Sequence, residues 1–192
     1  MITTIARDIA NQGGRVFYTG GYVRDYLLLG QAANGKDIDL EVFGLDKAKL
    51  ISVLSTYGQP IEVGKSFPII KISHHPEWDF TLPETPEVSY REACARRDFT
   101  INAMIMDVIT GEILDFFGGQ EDLENRFIRH TTENVFKKDP LRTYRAVQLA
   151  ARFSFSIDAA TLELMKQTNL DNIKPERILE ELRKLLLLAP QP

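Results

Sequence analysis

The stretch from Gly35 to Gly44, GKDIDLEVFG, sets an acid at every second position: Asp37, Asp39 and Glu41, with Ile38, Leu40 and Val42 between them. Such alternation predicts a strand over about 37–43 with one apolar face and one face of carboxylates. Like charges on one face repel and Asp is a poor strand former, so stability alone argues against the pattern. Alternate strand residues lie about 6.6 Å apart on one face. Two carboxylates at that spacing can share one divalent ion or grip two ions about 3.5–4 Å apart. Hard oxygen ligands suit Mg²⁺, which keeps some waters and takes substrate phosphates as its remaining ligands. A bound cation would offset the repulsion. The competing explanation is a solvent-facing strand whose acids pair with lysines, and a lone D-x-D is common by chance.

Upstream lies TGGYVRD, Thr19 to Asp25. A strand, two glycines and a helix start present free backbone N–H groups at a positive helix end, which can cradle a phosphate. Arg24, one turn into that helix, can fork onto the same phosphate. Asp25 either orients Arg24 or caps and pairs locally. A plain tight turn explains Gly20-Gly21 equally well in isolation. Beside D-x-D, however, the two elements make a polyphosphate-metal site. VGKSF, Val63 to Phe67, ends like a Walker motif but lacks the upstream glycine spacing, and reads as a turn.

The chain has 192 residues, 44% hydrophobic and 26% charged. That is a globular composition with apolar material for one core and an appended subdomain, not a fibrous or membrane one. No apolar run approaches the roughly 18 residues that span a bilayer. The start, MITTIARDIANQGGRV, has polar and acidic residues where a secretory signal has its apolar core. One cysteine, Cys94, cannot form an internal disulfide, and with three scattered histidines it makes no zinc site. These features point to the cytoplasm. The net charge of −4 argues against binding nucleic acid over the whole surface. Yet Lys137, Lys138, Arg142, Arg145 and Arg152 cluster against one acid, Asp139. This local basic stripe suits a polyphosphate or an RNA end, or is simply a solvated helix face.

These residues need elements to position them. RVFYTGG reads as a strand ending in a turn, and YVRDYLLLG as a helix stopped by Gly30. After the acidic strand come a helix near 46–57 and three short strands in PIEVG, FPIIKIS and WDFTLP. SYREACARR gives one or two helical turns, and INAMIMDVITGEILDFF a hairpin about Thr110-Gly111. GGQEDLENR reads as a turn and helix start, and FIRHT as a brief strand. From Thr131 onward the pattern is helical: DPLRTYRAVQLAARF, DAATLELMKQT and PERILEELRKLLLL. In the first of these, Asp139 stands where an N-cap belongs and Pro140 at the first helical position. The expected fold class is mixed α/β (α+β), a head over 1–130 and an all-helical segment over 131–192.

Three stretches in this order, GGYVRD…DIDLEVFG, RRDFTINAMIMD and KDPLRTYRAVQLAARFSF, resemble the bacterial tRNA nucleotidyltransferases of the CCA-adding and poly(A) polymerase family. The resemblance runs from about Val16 to Leu187 and implies a polymerase-beta-like head with a central mixed sheet, followed by a nucleobase-reading neck. It implies that Asp37 and Asp39 bind Mg²⁺, and that Gly21 and Arg24 hold the incoming nucleotide's phosphates. Arg97 and Asp98 match the segment that reads the ribose. Asp79, in EWDFTLP, matches a third acid that deprotonates the attacking hydroxyl or completes the metal shell; a surface Asp at a strand start is the alternative. Asp139, Arg142 and Arg145 match neck residues that pair with the base. Asp can accept from the exocyclic amine of cytosine or adenine, and Arg can donate to the ring acceptor beside it. For Asp139 capping and base reading both stand, and one side chain can do both. Ile101, Ala103 and Ile105 read as a core strand, with Arg97 and Asp98 facing the nucleotide.

The implied function is CMP and AMP addition from CTP and ATP to the 3′ end of tRNA. CC-only addition and poly(A) synthesis are alternatives within the family, nucleotide transfer to a small molecule is a rival enzyme class, and a non-catalytic RNA-binding module is the rival outside enzymes. Three departures bear on the choice. Lys138 stands where relatives carry an acid before the Asp-Pro, and Gln148 where a further arginine often continues the series. Only Thr85 to Val88 separates WDFTLPE from SYREACARRDFTINA, where relatives have a longer loop implicated in switching from C to A addition. The body and tail that grip tRNA in the family are not matched, so these residues are expected to bind tRNA weakly.

Overall fold

The alternating segments become the centre of a sheet, and the helices pack where apolar residues recur one turn apart. The computed structural model describes residues 1–30, 37–64 and 68–190. Of the turn expected at Val63 to Phe67, Lys65 to Phe67 lie outside them. Cα packing divides the chain into two units, 1–94 with 104–114, and 95–103 with 115–192.

The first unit opens with Ile2–Asn11 (α1), whose Ile5, Ala6 and Ile9 are buried on one face. Arg15–Thr19 (β1) follows, then Gly20 at φ 62° and Gly21–Leu29 (α2), which ends on left-handed Gly30. Ile38–Phe43 (β2) is the acidic strand. Lys47–Leu54 (α3) starts where Asp46 accepts the Lys49 N–H at 2.8 Å, a side-chain N-cap. Pro60–Val63 (β3), Ile69–Ile72 (β4) and His75–Thr81 (β5) form the next three strands. Tyr90–Ala95 (α4), a 3₁₀ turn at Thr100–Asn102, Met104–Asp107 (β6) and Ile113–Asp115 (β7) follow.

Strand order in the seven-stranded sheet is β3-β4-β5-β2-β1-β6-β7. β2 runs parallel to β5 and antiparallel to β1, so the sheet is mixed. One face carries Val16, Leu40, Val42, Ile70, Ile72, Trp78 and Phe80 against α1 and against Leu50 and Leu54 of α3. The other face is covered as well. Phe17 is fully buried, meeting Phe43 at 5.6 Å and Tyr90 of α4 at 4.9 Å between ring centroids. Burying such a ring stabilises by about 1.5–3 kcal/mol.

This second cover corrects the sequence reading of the carboxylate face. Asp37 and Asp39 are exposed, but Glu41 is only 4% exposed because it lies opposite Phe17 in the ladder, under the aromatic cluster. A second correction concerns Ile101 and Ala103, which do not belong to the core strand. The Asp98 carboxylate accepts from the Phe99 N–H at 2.8 Å and the Asn102 amide at 3.0 Å, folding 99–103 into a 3₁₀ turn before β6 begins.

The second unit comprises Gly119–Asn125 (α5), Phe127–Ile128 (β8), Val135–Lys138 (α6), Arg142–Phe153 (α7), Ser156–Ile157 (β9), Ala159–Lys166 (α8) and Pro175–Leu188 (α9). It is helical beyond 131 apart from β9, which pairs in parallel with β8. Asp158 caps α8 and Pro175 opens α9. The helix expected from Asp139 starts later, at Arg142 with Leu141 as N-cap. Arg142 and Thr143 N–H groups bond the Asp139 and Pro140 carbonyls three residues back, a tight turn that precedes the helical ladder. No helix among the described residues is long and apolar enough to cross a membrane.

Candidate active site

In the first unit the glycine turn and the start of α2 carry the candidate phosphate grip. Gly20 takes φ 62° and ψ −131°, a conformation that favours glycine. A Cβ on Gly21 would stand 3.1 Å from Arg24 Nη2, so the guanidinium lies against bare backbone. Arg24 is 5% exposed, and its Nε and Nη2 donate to Asp25 Oδ1 at 2.8 and 2.6 Å. Asp25 thus holds the guanidinium beside the helix start, where both are positive. Tyr18 and Tyr22 stack nearby in sequence at 4.1 Å between centroids. Burial, then the neighbouring Tyr22, pushes the Tyr18 hydroxyl far above the usual tyrosine range.

The candidate cation ledge lies on β2 and β5. Asp39 and Asp79 are direct partners in the parallel register, hence on one face of the sheet. Asp37 precedes β2 by one residue and is exposed. Asp79 forms an ion pair with Lys71 of β4. No group of three or more His, Cys, Asp or Glu among the described residues is arranged to hold a metal. Asp37 and Asp39 are exposed and offer hard oxygen donors. That donor set fits a divalent cation that takes its other ligands from water and phosphate.

In the second unit, of the candidate base- and ribose-reading residues, Asp98 and Arg145 are tied to each other and the rest to neighbouring groups. Arg97 is half-buried, and its carbonyl accepts the Thr131 hydroxyl at 2.6 Å. Asp98 is buried, and its Oδ2 accepts from Arg145 Nη1 at 3.1 Å. Arg145 Nη2 reaches Glu181 of α9 at 3.4 Å. Burial lowers the Arg145 pKa, but Asp98 and Glu181 outweigh it and the net shift is upward. Arg142 Nη2 donates to the Arg96 carbonyl at 2.8 Å and Nη1 to the Val135 carbonyl at 3.4 Å. Burial, against the pull of Asp98 and Asp139, lowers the pKa of Arg142.

Asp139 does two things in the structure. Its Oδ1 accepts the Leu141 N–H at 3.2 Å, and Arg177 of α9 forks onto the carboxylate at 3.3 and 2.8 Å. Burial raises its pKa, but the Arg177 contacts prevail and it lies below the usual carboxylate value. Arg177 and Glu181 are residues the sequence reading passed over. Their spacing of four puts them on one face of α9, and that spacing was the available signal. Lys71 was also passed over. Its signal was a charge between Ile70 and Ile72 in an interior strand.

A mixed sheet followed by helices is the architecture this chain shares with solved CCA-adding enzymes. The chain belongs to the poly A polymerase head domain family, whose model matches residues 16–129; a second model, a probable RNA- and SrmB-binding site of polymerase A, matches 154–190. Among curated relatives, a CCA-adding enzyme of Coxiella burnetii is 36% identical over 90% of this chain and 48% of its own length. A multifunctional CCA protein of Xanthomonas campestris is 35% identical over 90% of this chain and 45% of its own. Among solved structures, the Thermotoga maritima CCA-adding enzyme complexed with tRNA superposes with a TM-score of 0.84 at 28% identity, over 97% of this chain and 46% of that one. A CCA-adding enzyme with CTP superposes with a TM-score of 0.81 at 28% identity, over 96% and 45%. The chain spans about half the length of the curated relatives it matches. Nucleotidyltransferases of this family generally use divalent metals.

Proposed function

We propose that the chain is the head and neck of a template-independent RNA nucleotidyltransferase that adds CMP and AMP, from CTP and ATP, to the 3′ end of tRNA. The observation that carries this reading is the exposure of Asp37 and Asp39 at the start of a strand that is otherwise buried from Leu40 to Phe43. Oxygens left on a ledge where neighbouring positions are covered suit an ion that arrives with substrate. We take residues 1–130 as the functional head and 131–192 as the neck.

Asp37 and Asp39 would hold Mg²⁺, which supplies charge neutralisation for the triphosphate and activation of the attacking hydroxyl. Gly21 and Arg24 receive phosphate oxygens through backbone N–H groups and a prepositioned guanidinium. The RNA 3′-oxygen forms a bond to the α-phosphorus, the bond to the bridging oxygen breaks, and pyrophosphate leaves; the hydroxyl proton passes from the 3′-oxygen to solvent water. Asp79 is the third acid of the face, and its ion pair with Lys71 favours shaping the charge of the ledge over accepting that proton. Arg97 and Asp98 orient the ribose. Asp139, Arg142 and Arg145 select the base, and their present partners Arg177, Glu181 and the Arg96 carbonyl keep them ordered until a base competes for them. The tRNA is bound weakly by these residues alone. Work in the cytoplasm follows from this substrate.

One observation favours a second reading, CC-only addition: Thr85 to Val88 is closed as a tight turn by the Val88 N–H to the Thr85 carbonyl at 3.2 Å. The test supplies tRNA lacking its 3′ end with CTP, with ATP and with both, and sizes the products. Growth by CMP and then AMP supports CCA addition, arrest after CMP supports the second reading, and no metal-dependent growth refutes both.

A further inference from the structure

Arg97 and Asp98 follow closely on α4, yet they pack with the second unit rather than with the sheet. A short antiparallel pairing with residues 129–131 holds them. Phe99 and His130 form its bridge, and the Thr100 N–H donates to the Arg129 carbonyl at 2.9 Å. At its end the Thr131 N–H donates to the Asp98 carbonyl at 3.2 Å. Beyond it the chain turns away toward α6, with the Val135 N–H on the Thr132 carbonyl at 3.0 Å. The next carbonyl back, that of Arg97, accepts from the Thr131 hydroxyl at 2.6 Å, a closer contact than the 3.4 Å from that hydroxyl to the Asp98 carbonyl. Thr131 thus grips two successive carbonyls, and both peptide planes that flank Asp98 lose their freedom to turn. The Asp98 side chain is fixed separately, Oδ1 by the Phe99 N–H and the Asn102 amide and Oδ2 by Arg145. For the peptide between Arg97 and Asp98, the Thr131 hydroxyl is the corresponding tie.

We propose that Thr131 is a positioning residue for sugar recognition: its hydroxyl fixes the peptide between Arg97 and Asp98, and with it the discrimination of ribose from 2′-deoxyribose. This rests on the reading of Arg97 and Asp98 as ribose-orienting residues given under the proposed function. A site that hydrogen-bonds a substrate hydroxyl rejects the analogue lacking it because the site's own polar groups are then left unpaired. That penalty requires those groups to stay in place. A segment free to rotate about its peptides finds water or another partner, and the penalty shrinks. Thr131 lends no group to the nucleotide itself. It acts by keeping the peptide from turning.

Isothermal titration of CTP and of dCTP into the full chain, each with Mg²⁺, gives the ratio of their dissociation constants. Thr131→Val keeps the branched shape and the backbone N–H and removes the hydroxyl alone; Thr131→Ser keeps the hydroxyl. The preference for CTP should fall about fivefold in Thr131→Val, the net worth of one hydrogen bond, and return in Thr131→Ser. A residue that served stability alone would lower Tm and weaken both nucleotides together, with the ratio unmoved. An unchanged ratio in Thr131→Val, or a preference in Thr131→Ser as low as in Thr131→Val, overturns the proposal. If Thr131→Val fails to fold, Thr131→Ala carries the same test. Arg97→Met separates the two levels. Loss of the preference in Arg97→Met while Thr131→Val keeps it defeats the role of Thr131 alone. A preference retained in Arg97→Met, or equal binding of CTP and dCTP by the unmodified chain, defeats the ribose reading itself.

Discussion

Replacing Glu181 by Gln asks whether α9 braces the base-reading face of α7. Glu181 is 3% exposed, and its Oε1 accepts from Arg145 Nη2 at 3.4 Å and from Lys184 Nζ at 3.2 Å. A hydrogen bond to a charged group contributes about 1.5–3 kcal/mol. Three features reduce that figure here. The Arg145 contact is long, its side chain is 39% exposed and keeps Asp98 at 3.1 Å, and a neutral Gln relieves the desolvation of a buried carboxylate. The expected net loss is therefore about 1 kcal/mol, a fall in Tm of about 2–4 °C for a chain of this size. Calorimetry on Glu181→Gln, Arg145→Met and the double variant closes a cycle that isolates the pair, and Lys184→Met measures the second donor separately. CTP and ATP binding should weaken together, because Arg145 loses its fixed direction. A coupling energy inside the additivity range of about 0.3–0.5 kcal/mol would refute the brace.

Asp39→Ala removes one of two crowded acids, so Tm should hold or rise slightly while nucleotide incorporation is abolished; retained turnover would move the metal site elsewhere. Arg142→Ala should blur the choice between CTP and ATP in a competition assay and, by losing the Arg96 carbonyl contact at 2.8 Å, lower stability by about 1–2 kcal/mol. An intact preference would take Arg142 out of base reading. Asp139 titrates below its ordinary value because Arg177 outweighs its burial. A carboxylate depressed in the folded state adds stability that is complete above about pH 4, its unfolded value, and is lost as pH falls through the folded one. Acid melts of the unmodified chain should therefore steepen below about pH 4, and Arg177→Leu should flatten that limb; identical slopes would contradict the pairing.

Local chemistry was legible in the sequence wherever it depended on neighbours along the chain. Gly20 and Gly30 bound α2, as the glycines in the sequence indicate. Alternation located β2 but could not say what covers each side, and so Glu41 was read with Asp37 and Asp39 although Phe17 lies opposite it. Asp139 before Pro140 carries a cap signature. Yet the chain spends Pro140 and Leu141 in a turn, and the carboxylate serves the Leu141 N–H and Arg177 together. Asp98 shows the same limit: its role in folding 99–103 depends on the Asn102 amide, and its second oxygen on Arg145 far along the chain. Lys71 and Glu181 escaped for one reason. Local signals, a charge inside an apolar strand and a spacing of four on one helix face, mark the positions but not the tertiary partners, Asp79 and Arg145. The parallel placement of β5 against β2 was likewise invisible, since pairing between distant strands leaves no spacing rule in either of them.

The ladder that clamps β2 between β1 and β5 has an evolutionary corollary. Inserting or deleting one residue between Ile38 and Phe43 would invert every side chain downstream, driving carboxylates into oil and leucine into water. With a neighbour fixed on both edges, the strand cannot slide to absorb the change. Length variation in such proteins should thus accumulate in the connections around this strand and spare the strand itself, however far the remaining sequence drifts.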